Sequence, residues 1–293
     1  MTPSRSELIT VRGLRTHVRH WGREGAPKLF MVHGWMDVGA SFQFVVDALE
    51  GDWHVIAPDW RGFGLSERTH SDTYWFPDYV ADLDVLLERY SPGVAVNLLG
   101  HSMGGNVVSL YAGVRPDRVR RLVNLEGFGL PPTRAEQAPR RYAKWLDELR
   151  EPPVLRPYPN REAVAARLQK TNPRLSDARA DFLSQHWSAQ NADGQWEILG
   201  DPAHKKPSPL LYQVEEVLAC WKQITAPVLW VEAEDTNMWQ WMGPKPEARI
   251  EIDRRLGHLA QVSAHMMPEA GHMLHHDQPE RLARLLEDFL AGS

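Results

Sequence analysis

Apolar residues fall along this chain in short unbroken runs separated by amphipathic stretches. Leu29-Phe30-Met31-Val32, Val55-Ile56-Ala57, Val94 to Leu99 and Leu122 to Leu125 each read as a strand, closed by Gly, Pro, His or Glu. Runs this continuous suit strands covered on both faces, as in a parallel sheet. Between them Val80, Leu83, Leu87 and Tyr90 recur at helical spacing, and a second helix is predicted from Ser102 to about Val114, where Pro116 stops it. Strands alternating with helices predict an α/β fold with a mostly parallel, doubly wound sheet.

The pattern changes at Leu130. Prolines cluster at Pro131-Pro132, Pro152-Pro153, Pro157 and Pro159, and several helix-like pieces follow. One runs from Leu175 to Trp187, with Ser176 placed to cap it. No buried-strand signature interrupts residues 130–224, which therefore read as a helical cap, or lid, inserted into a core formed by residues 1–129 and 225–293. The alternation resumes at Pro227 to Val231 and again near Leu259 to Val262. A last helix carries Leu282, Leu285, Leu286, Phe289 and Leu290 on one face, with Pro279 in its first turn.

Composition narrows the function. At 43% hydrophobic and 24% charged residues over 293 positions, the chain has ample material for a core. A net charge of −5 with no basic block offers nothing to a nucleic-acid backbone. No apolar run approaches the ~20 residues of a membrane helix, and Met1 to Glu7 lacks a signal-peptide pattern. One cysteine, Cys220, excludes an internal disulfide framework. The expectation is a cytoplasmic protein that acts on a small molecule, with no nucleic-acid or membrane partner.

Gly100-His101-Ser102-Met103-Gly104 is a G-x-S-x-G pentapeptide placed between a predicted strand and a predicted helix. A sharp strand-to-helix turn presents its central side chain at the carboxyl edge of the sheet, where open α/β folds bind ligands. A phosphate-binding turn would want a lysine and a different glycine spacing, and neither is present.

With these residues in view, the chain resembles the α/β-hydrolase family. His33-Gly34-Trp35 follows the third predicted strand, and Asp59-Trp60-Arg61-Gly62-Phe63-Gly64-Leu65-Ser66 resembles the family's D-x-R-G-x-G-x-S segment. The pentapeptide comes next, and Gly271-His272 precedes the last helix. The likeness is strongest to serine-hydrolase-like members with an H-G-W-x-D motif, here His33 to Asp37, and Lys170 to Ser176 looks like part of their insertion. The resemblance implies Ser102 as nucleophile and His272 as base. It leaves two candidates for the acid that orients the base. Asp235 follows the strand ending at Val231 and is preferred by chain order; Glu126 follows the preceding strand, where some relatives carry the acid. The backbone N–H groups of Met103 and Trp35 are the implied oxyanion donors.

His33, His101, Trp187 and Trp239 are candidate pocket residues, among an unusually large set of 12 tryptophans that suits apolar pocket walls. A metal reading of His272, His275 and His276 is the weaker one, because adjacent His275 and His276 do not readily face one ion and no second ligand group has metal spacing. No metal or organic cofactor is expected. The reading is a serine hydrolase, a carboxylesterase cleaving small apolar or aromatic esters through an acyl-enzyme. C–C bond hydrolases, lactonases, amidases and perhydrolases share such a triad, and a non-catalytic binding protein on the same fold is the alternative from another class. Dehalogenase and epoxide hydrolase chemistry is disfavoured, since the resembling enzymes need aspartate where Ser102 stands.

Overall fold

A computed structural model describes residues 1–292. Its strands are β1 (Ser4–Val11), β2 (Leu14–Trp21), β3 (Lys28–Val32), β4 (His54–Pro58), β5 (Val96–His101), β6 (Val119–Leu125), β7 (Ser188–Gln190), β8 (Trp196–Ile198), β9 (Val228–Ala233) and β10 (Val262–Met267). Eight of them form one sheet in the order β1-β2-β4-β3-β5-β6-β9-β10, and β7 with β8 makes a small separate hairpin. The β1/β2 and β2/β4 pairings are antiparallel; those from β4 through β10 are parallel.

The unbroken apolar runs have a direct structural meaning. Along β3, Phe30 and Val32 face one hydrophobic cluster while Leu29 and Met31 face another; Leu98 and Leu99 divide in the same way, as do Trp230 and Val231. Helices α1 (Gln43–Ala48), α2 (Phe76–Tyr90) and α3 (Met103–Val114) precede the insertion. The insertion carries α4 (Ala138–Arg150), α5 (Arg161–Thr171), α6 (Asp177–Trp187) and α7 (Val214–Trp221), and α8 (Trp239–Met242), α9 (Lys245–Leu256), α10 (Leu274–Asp277) and α11 (Pro279–Ala291) complete the chain. Residues of α2, α3, α7 and α9 cover one face, and those of α1, α10 and α11 the other. The doubly wound sheet follows from the sequence pattern.

Some boundaries move. β1 and β2 escape the pattern because polar side chains interrupt them, and in β2 the polar residues themselves are buried: His17, Arg19 and His20 are 2%, 8% and 3% exposed. They are joined by Arg12-Gly13, both at positive φ, the conformation of a two-residue hairpin turn. The last strand is Val262–Met267 rather than the expected segment near Leu259, because its exposed Ser263, Ala264 and His265 hide it from an apolar criterion.

Within residues 130–224, α5 and α6 pack on each other around Leu168, Leu175, Ala180 and Leu183 and seat on Phe44 of the core. Ser176 caps α6 as expected, accepting from Arg179 N–H. The β7/β8 hairpin also lies here, so the insertion is not purely helical. Helix α7 sits on the core side: Val214, Leu218 and Trp221 join the main cluster, and Gly113 of α3 lies directly against the Cys220 backbone. Among the described residues no helix is long and apolar enough to cross a membrane.

The α3–α7 contact is testable. A methyl on Gly113 would meet the Cys220 carbonyl, a backbone obstacle that cannot swing aside. Alanine gains ~1 kcal/mol in helix propensity, but overpacking against backbone outweighs it, with a net loss of about 1–3 kcal/mol. Calorimetry should show Gly113→Ala melting several degrees below wild type. Gly257→Ala, whose methyl meets its neighbours at ordinary contact distance, should melt within about a degree of it.

Candidate active site

The strand order reverses direction between β3 and β5, so a crevice opens at their carboxyl ends. One residue, Ser102, separates the end of β5 from the start of α3. Its backbone is held at φ 52°, ψ −116°, a region costly for a side chain other than glycine. The Ser102 N–H donates to the Leu125 carbonyl at 2.8 Å. Tight backbone contacts enforce the bend: a methyl at Gly100 would run into the Gly104 carbonyl, and one at Gly104 into the Val32 carbonyl. The half-buried hydroxyl projects into the crevice.

His272, in the loop between β10 and α10, brings Nε2 to 3.0 Å from Ser102 Oγ. Its Nδ1 lies 3.2 Å from Glu126 Oε2. Glu126 directly follows β6, is fully buried and has φ 57°. Its Oε1 accepts the Ala233 N–H at 2.6 Å, and its Oε2 also accepts the Thr236 hydroxyl. An acceptor surrounded by three donors fixes the imidazole tautomer: Nδ1 carries the proton, and the Nε2 lone pair faces the serine hydroxyl.

The preference for Asp235 is corrected here. Asp235 N–H donates to the Ala270 carbonyl, while its half-exposed carboxylate is held by Arg174 at 2.6 Å, away from the imidazole. Neighbouring Glu234 accepts the Glu269 N–H instead. The end of β9 and the loop after it still serve the site, but through Ala233 N–H and the Thr236 hydroxyl, both of which brace Glu126.

The Gly34–Trp35 segment passes beside the nucleophile, since a methyl on Gly34 would lie 3.1 Å from Ser102 Cβ. Met103 opens α3, where the first N–H groups have no helical acceptor. Among the described residues neither Trp35 N–H nor Met103 N–H donates to a protein acceptor. Backbone donors in this position can receive a developing oxyanion.

The expected pocket residues are mostly placed elsewhere. His33 is fully buried; its Nε2 accepts the Trp60 N–H at 2.9 Å and its Nδ1–H donates to the Gly34 carbonyl at 2.8 Å. His101 is also buried and bonds through Nε2 to the His272 carbonyl at 2.8 Å. Both rings are struts on the backbone and line no surface that a substrate could reach. Trp187 donates its indole N–H to Ser41 at 3.2 Å and packs between α6 and the core, while Trp239 packs toward Phe128. The aromatic beside the base is Trp241, whose ring centroid is 6.2 Å from that of His272 and which is 56% exposed.

The alpha/beta hydrolase fold family matches residues 27–279 of this sequence. The chain belongs to that family. It is 28% identical over 277 residues to a serine hydrolase-like protein of Danio rerio, covering 92% of this chain and 83% of the relative. Among solved structures, a hypothetical protein from Pseudomonas aeruginosa PAO1 superposes with TM-score 0.85 at 24% identity, covering 98% and 99% of the two chains. A thioesterase domain from the curacin biosynthetic pathway gives TM-score 0.84 at 23% identity, covering 97% and 99%. These likenesses establish the fold.

In this α/β-hydrolase the Asp59–Ser66 segment is scaffold. Asp59 accepts from Gly39 N–H at 2.7 Å, Leu65 N–H at 3.0 Å and His17 at 2.8 Å, and Arg61 forks onto Asp82 at 2.5 and 2.6 Å. The insertion docks on the same loops: Gly64 N–H donates to Leu199, Asp201 N–H to Gly62, and the Trp35 indole to the His204 carbonyl.

Burial sets the histidine electrostatics. Desolvation pulls His20, His33 and His186 down to about 4 and His204 to about 3, and pushes Asp37 up to about 7. The histidines are thus neutral when folded but protonate near 6.5 when unfolded, so their stabilising contribution falls as pH drops from about 6.5 toward 4. For His33 alone the loss across that range is on the order of 3 kcal/mol. Asp37 has the opposite slope between its ordinary value and about 7, and one carboxyl does not offset four histidines. Chemical denaturation should therefore show stability decreasing from pH 7 to pH 5; a flat or rising profile would contradict this account of the buried imidazoles.

Proposed function

We propose that this α/β-hydrolase is a serine hydrolase, a carboxylesterase that cleaves small apolar or aromatic esters through an acyl-enzyme. The observation that carries the reading is the continuous hydrogen-bond path from Ser102 Oγ through His272 to buried Glu126. Ser102 attacks the ester carbonyl while His272 Nε2 takes the hydroxyl proton, and Glu126 stabilises the imidazolium through Nδ1–H. Negative charge on the carbonyl oxygen is received by Met103 and Trp35 N–H, each worth on the order of 3 kcal/mol in the barrier. Collapse of the tetrahedral intermediate expels the alkoxide, which takes the proton from His272. Water then repeats the sequence, giving the acid and free Ser102.

The name of the Danio rerio relative, a serine hydrolase-like protein, supports hydrolysis at serine. The ester preference and the apolar substrate rest on this chain's own surface, where the exposed rings of Trp35 and Trp241 stand beside the oxyanion segment and the base. Large rigid rings in that position favour flat apolar acyl or alcohol groups over charged ones. The insertion, docked on the Trp35 and Gly62–Gly64 loops, supplies the remaining wall. C–C bond cleavage, lactone opening and perhydrolysis use the same proton path and differ in the electrophile or the attacking solvent species.

Two measurements test the reading. A fluorophosphonate probe should label wild type at Ser102 and leave Ser102→Ala unlabelled. With p-nitrophenyl esters, Glu126→Gln should lower kcat by about 10³–10⁴-fold, because an amide no longer selects the productive tautomer. Asp235→Asn loses only an exposed ion pair and should stay within about threefold of wild type. Absence of labelling and turnover in wild type, with ligand binding undiminished in Ser102→Ala, would favour the non-catalytic reading. For the pocket, Trp241→Ala should raise KM for aromatic esters more than for acetate esters, with little change in kcat.

A further inference from the structure

Directly behind the nucleophile, three side chains from distant parts of the sequence converge. Asp37, His101 and His275 each have a ligand-type atom lying within 4.8 Å of the other two. They are 3%, 1% and 0% exposed. Each also has polar atoms without a partner: Asp37 Oδ2, His101 Nδ1 and both nitrogens of His275. Unpartnered polar atoms are uncommon in protein interiors, and several in one place call for a group that satisfies them together.

The protonation states narrow what that group can be. His101 Nε2 faces the His272 carbonyl at 2.8 Å, so it must carry the proton, and Nδ1 is left as a bare lone pair. Asp37 Oδ1 accepts from Val38 N–H at 2.8 Å and from the Ser41 hydroxyl, leaving Oδ2 without a protein partner. His275 Nε2 stands 3.8 Å from Asp37 Oδ2, too far for a hydrogen bond. Among the described residues no lysine or arginine pairs with Asp37. The cluster therefore gathers a carboxyl oxygen and two imidazoles with unpartnered nitrogens around one point.

We propose that Asp37, His101 and His275 form a buried site for one divalent transition-metal ion of the zinc class. Two imidazole nitrogens and one carboxylate oxygen are a ligand set for Zn²⁺ or Co²⁺, whereas Ca²⁺ and Mg²⁺ prefer oxygen donors throughout. Donor atoms around a tetrahedral ion at ~2.0–2.2 Å stand about 3.4 Å apart, so small side-chain rotations bring these three into range. The outer contacts are those of metal ligands: His101 is oriented by a backbone carbonyl, and Asp37 by an N–H and a hydroxyl. Ser41 is fixed in turn by the Trp187 indole at 3.2 Å. His276 takes no part; its ring packs against Phe44. Sequence spacing groups His275 with His272 and His276 instead, because the three ligands lie after β3, at the end of β5 and in α10.

The test uses the full chain without a histidine tag, produced with Zn²⁺ or Co²⁺ and then dialysed. Wild type should retain close to one ion per chain by elemental analysis, and Asp37→Asn and His275→Gln should each lower that retention at least tenfold while keeping a native circular-dichroism spectrum. An ion-free wild type, or equal retention in the variants, overturns the proposal and leaves a buried water as the bridging group. Should both variants misfold, nuclear magnetic resonance of Co²⁺-loaded wild type decides. Paramagnetic shifts centred on Asp37, His101 and His275 support the site, and shifts centred on exposed histidines such as His70 or His265 overturn it.

Discussion

The site hangs on one strained residue. Ser102 is forced to φ 52° because β5 must become α3 within a single position while both neighbouring backbones press on it. Holding a non-glycine residue there costs ~1–3 kcal/mol, and the surrounding structure must offset it. The offset is visible in the Ser102 N–H bond to Leu125 and in the burial of β3, β5 and β6 on both faces. The strain has a directional result. A relaxed backbone would lay the hydroxyl along the helix; the bend aims it across the crevice at His272. Every other feature of the site, from the Glu126 brace to the free N–H groups of Trp35 and Met103, is arranged around where that oxygen stands.

The carboxylate illustrates what linear order does not encode. β6 and β9 are neighbours in the sheet, so the residues after each strand start within reach of the same imidazole. Position along the chain favours Asp235, yet desolvation and donors decide. Glu126 is enclosed by two further donors, Ala233 N–H at the end of β9 and the Thr236 hydroxyl in the loop after it, so its charge is satisfied inside the protein. Asp235 meets Arg174 near solvent and is neutralised there. A carboxylate already paired at the surface is a poor partner for a half-buried base. The Thr236 hydroxyl is the kind of contributor that sequence reading passes over, because a threonine after a strand is common and its partner lies 110 residues away.

Legibility elsewhere follows the same division. The strands buried on both faces, the helix after Ser102 and the Ser176 cap were readable because each obeys a local rule of period or capping. The β1/β2 hairpin was not, because its buried polar residues are satisfied only by contacts across the sheet, as when His17 meets Asp59 and Ser6. The pocket histidines failed for a related reason. His33 and His101 sit in motifs that flank the chemistry, but their rings complete backbone bonds to Trp60, Gly34 and His272. A histidine near a nucleophile is therefore as readily a strut as a ligand group, and only the tertiary hydrogen bonds separate the two. α7 is amphipathic like its neighbours in the sequence, and its packing on the core shows only in three dimensions, where Cys220 meets Gly113.

The struts also tie the two halves of the site together. His272 is fixed at its ring by Ser102 and Glu126 and at its carbonyl by His101, so its position depends on residues from β5, β6 and the last loop at once. His101 in turn faces Asp37 and His275 across the buried cluster, and Asp37 lies two residues beyond Trp35, whose N–H borders the nucleophile. Trp35 is held from outside as well, by its indole bond to the His204 carbonyl of the insertion. A change in how the insertion seats, or in what fills the buried cluster, thus reaches the base and the oxyanion segment through contacts of one or two residues. Coupling over so short a path needs no long-range relay: the packed interior is stiff enough that a displacement at Asp37 or His204 is felt at Ser102.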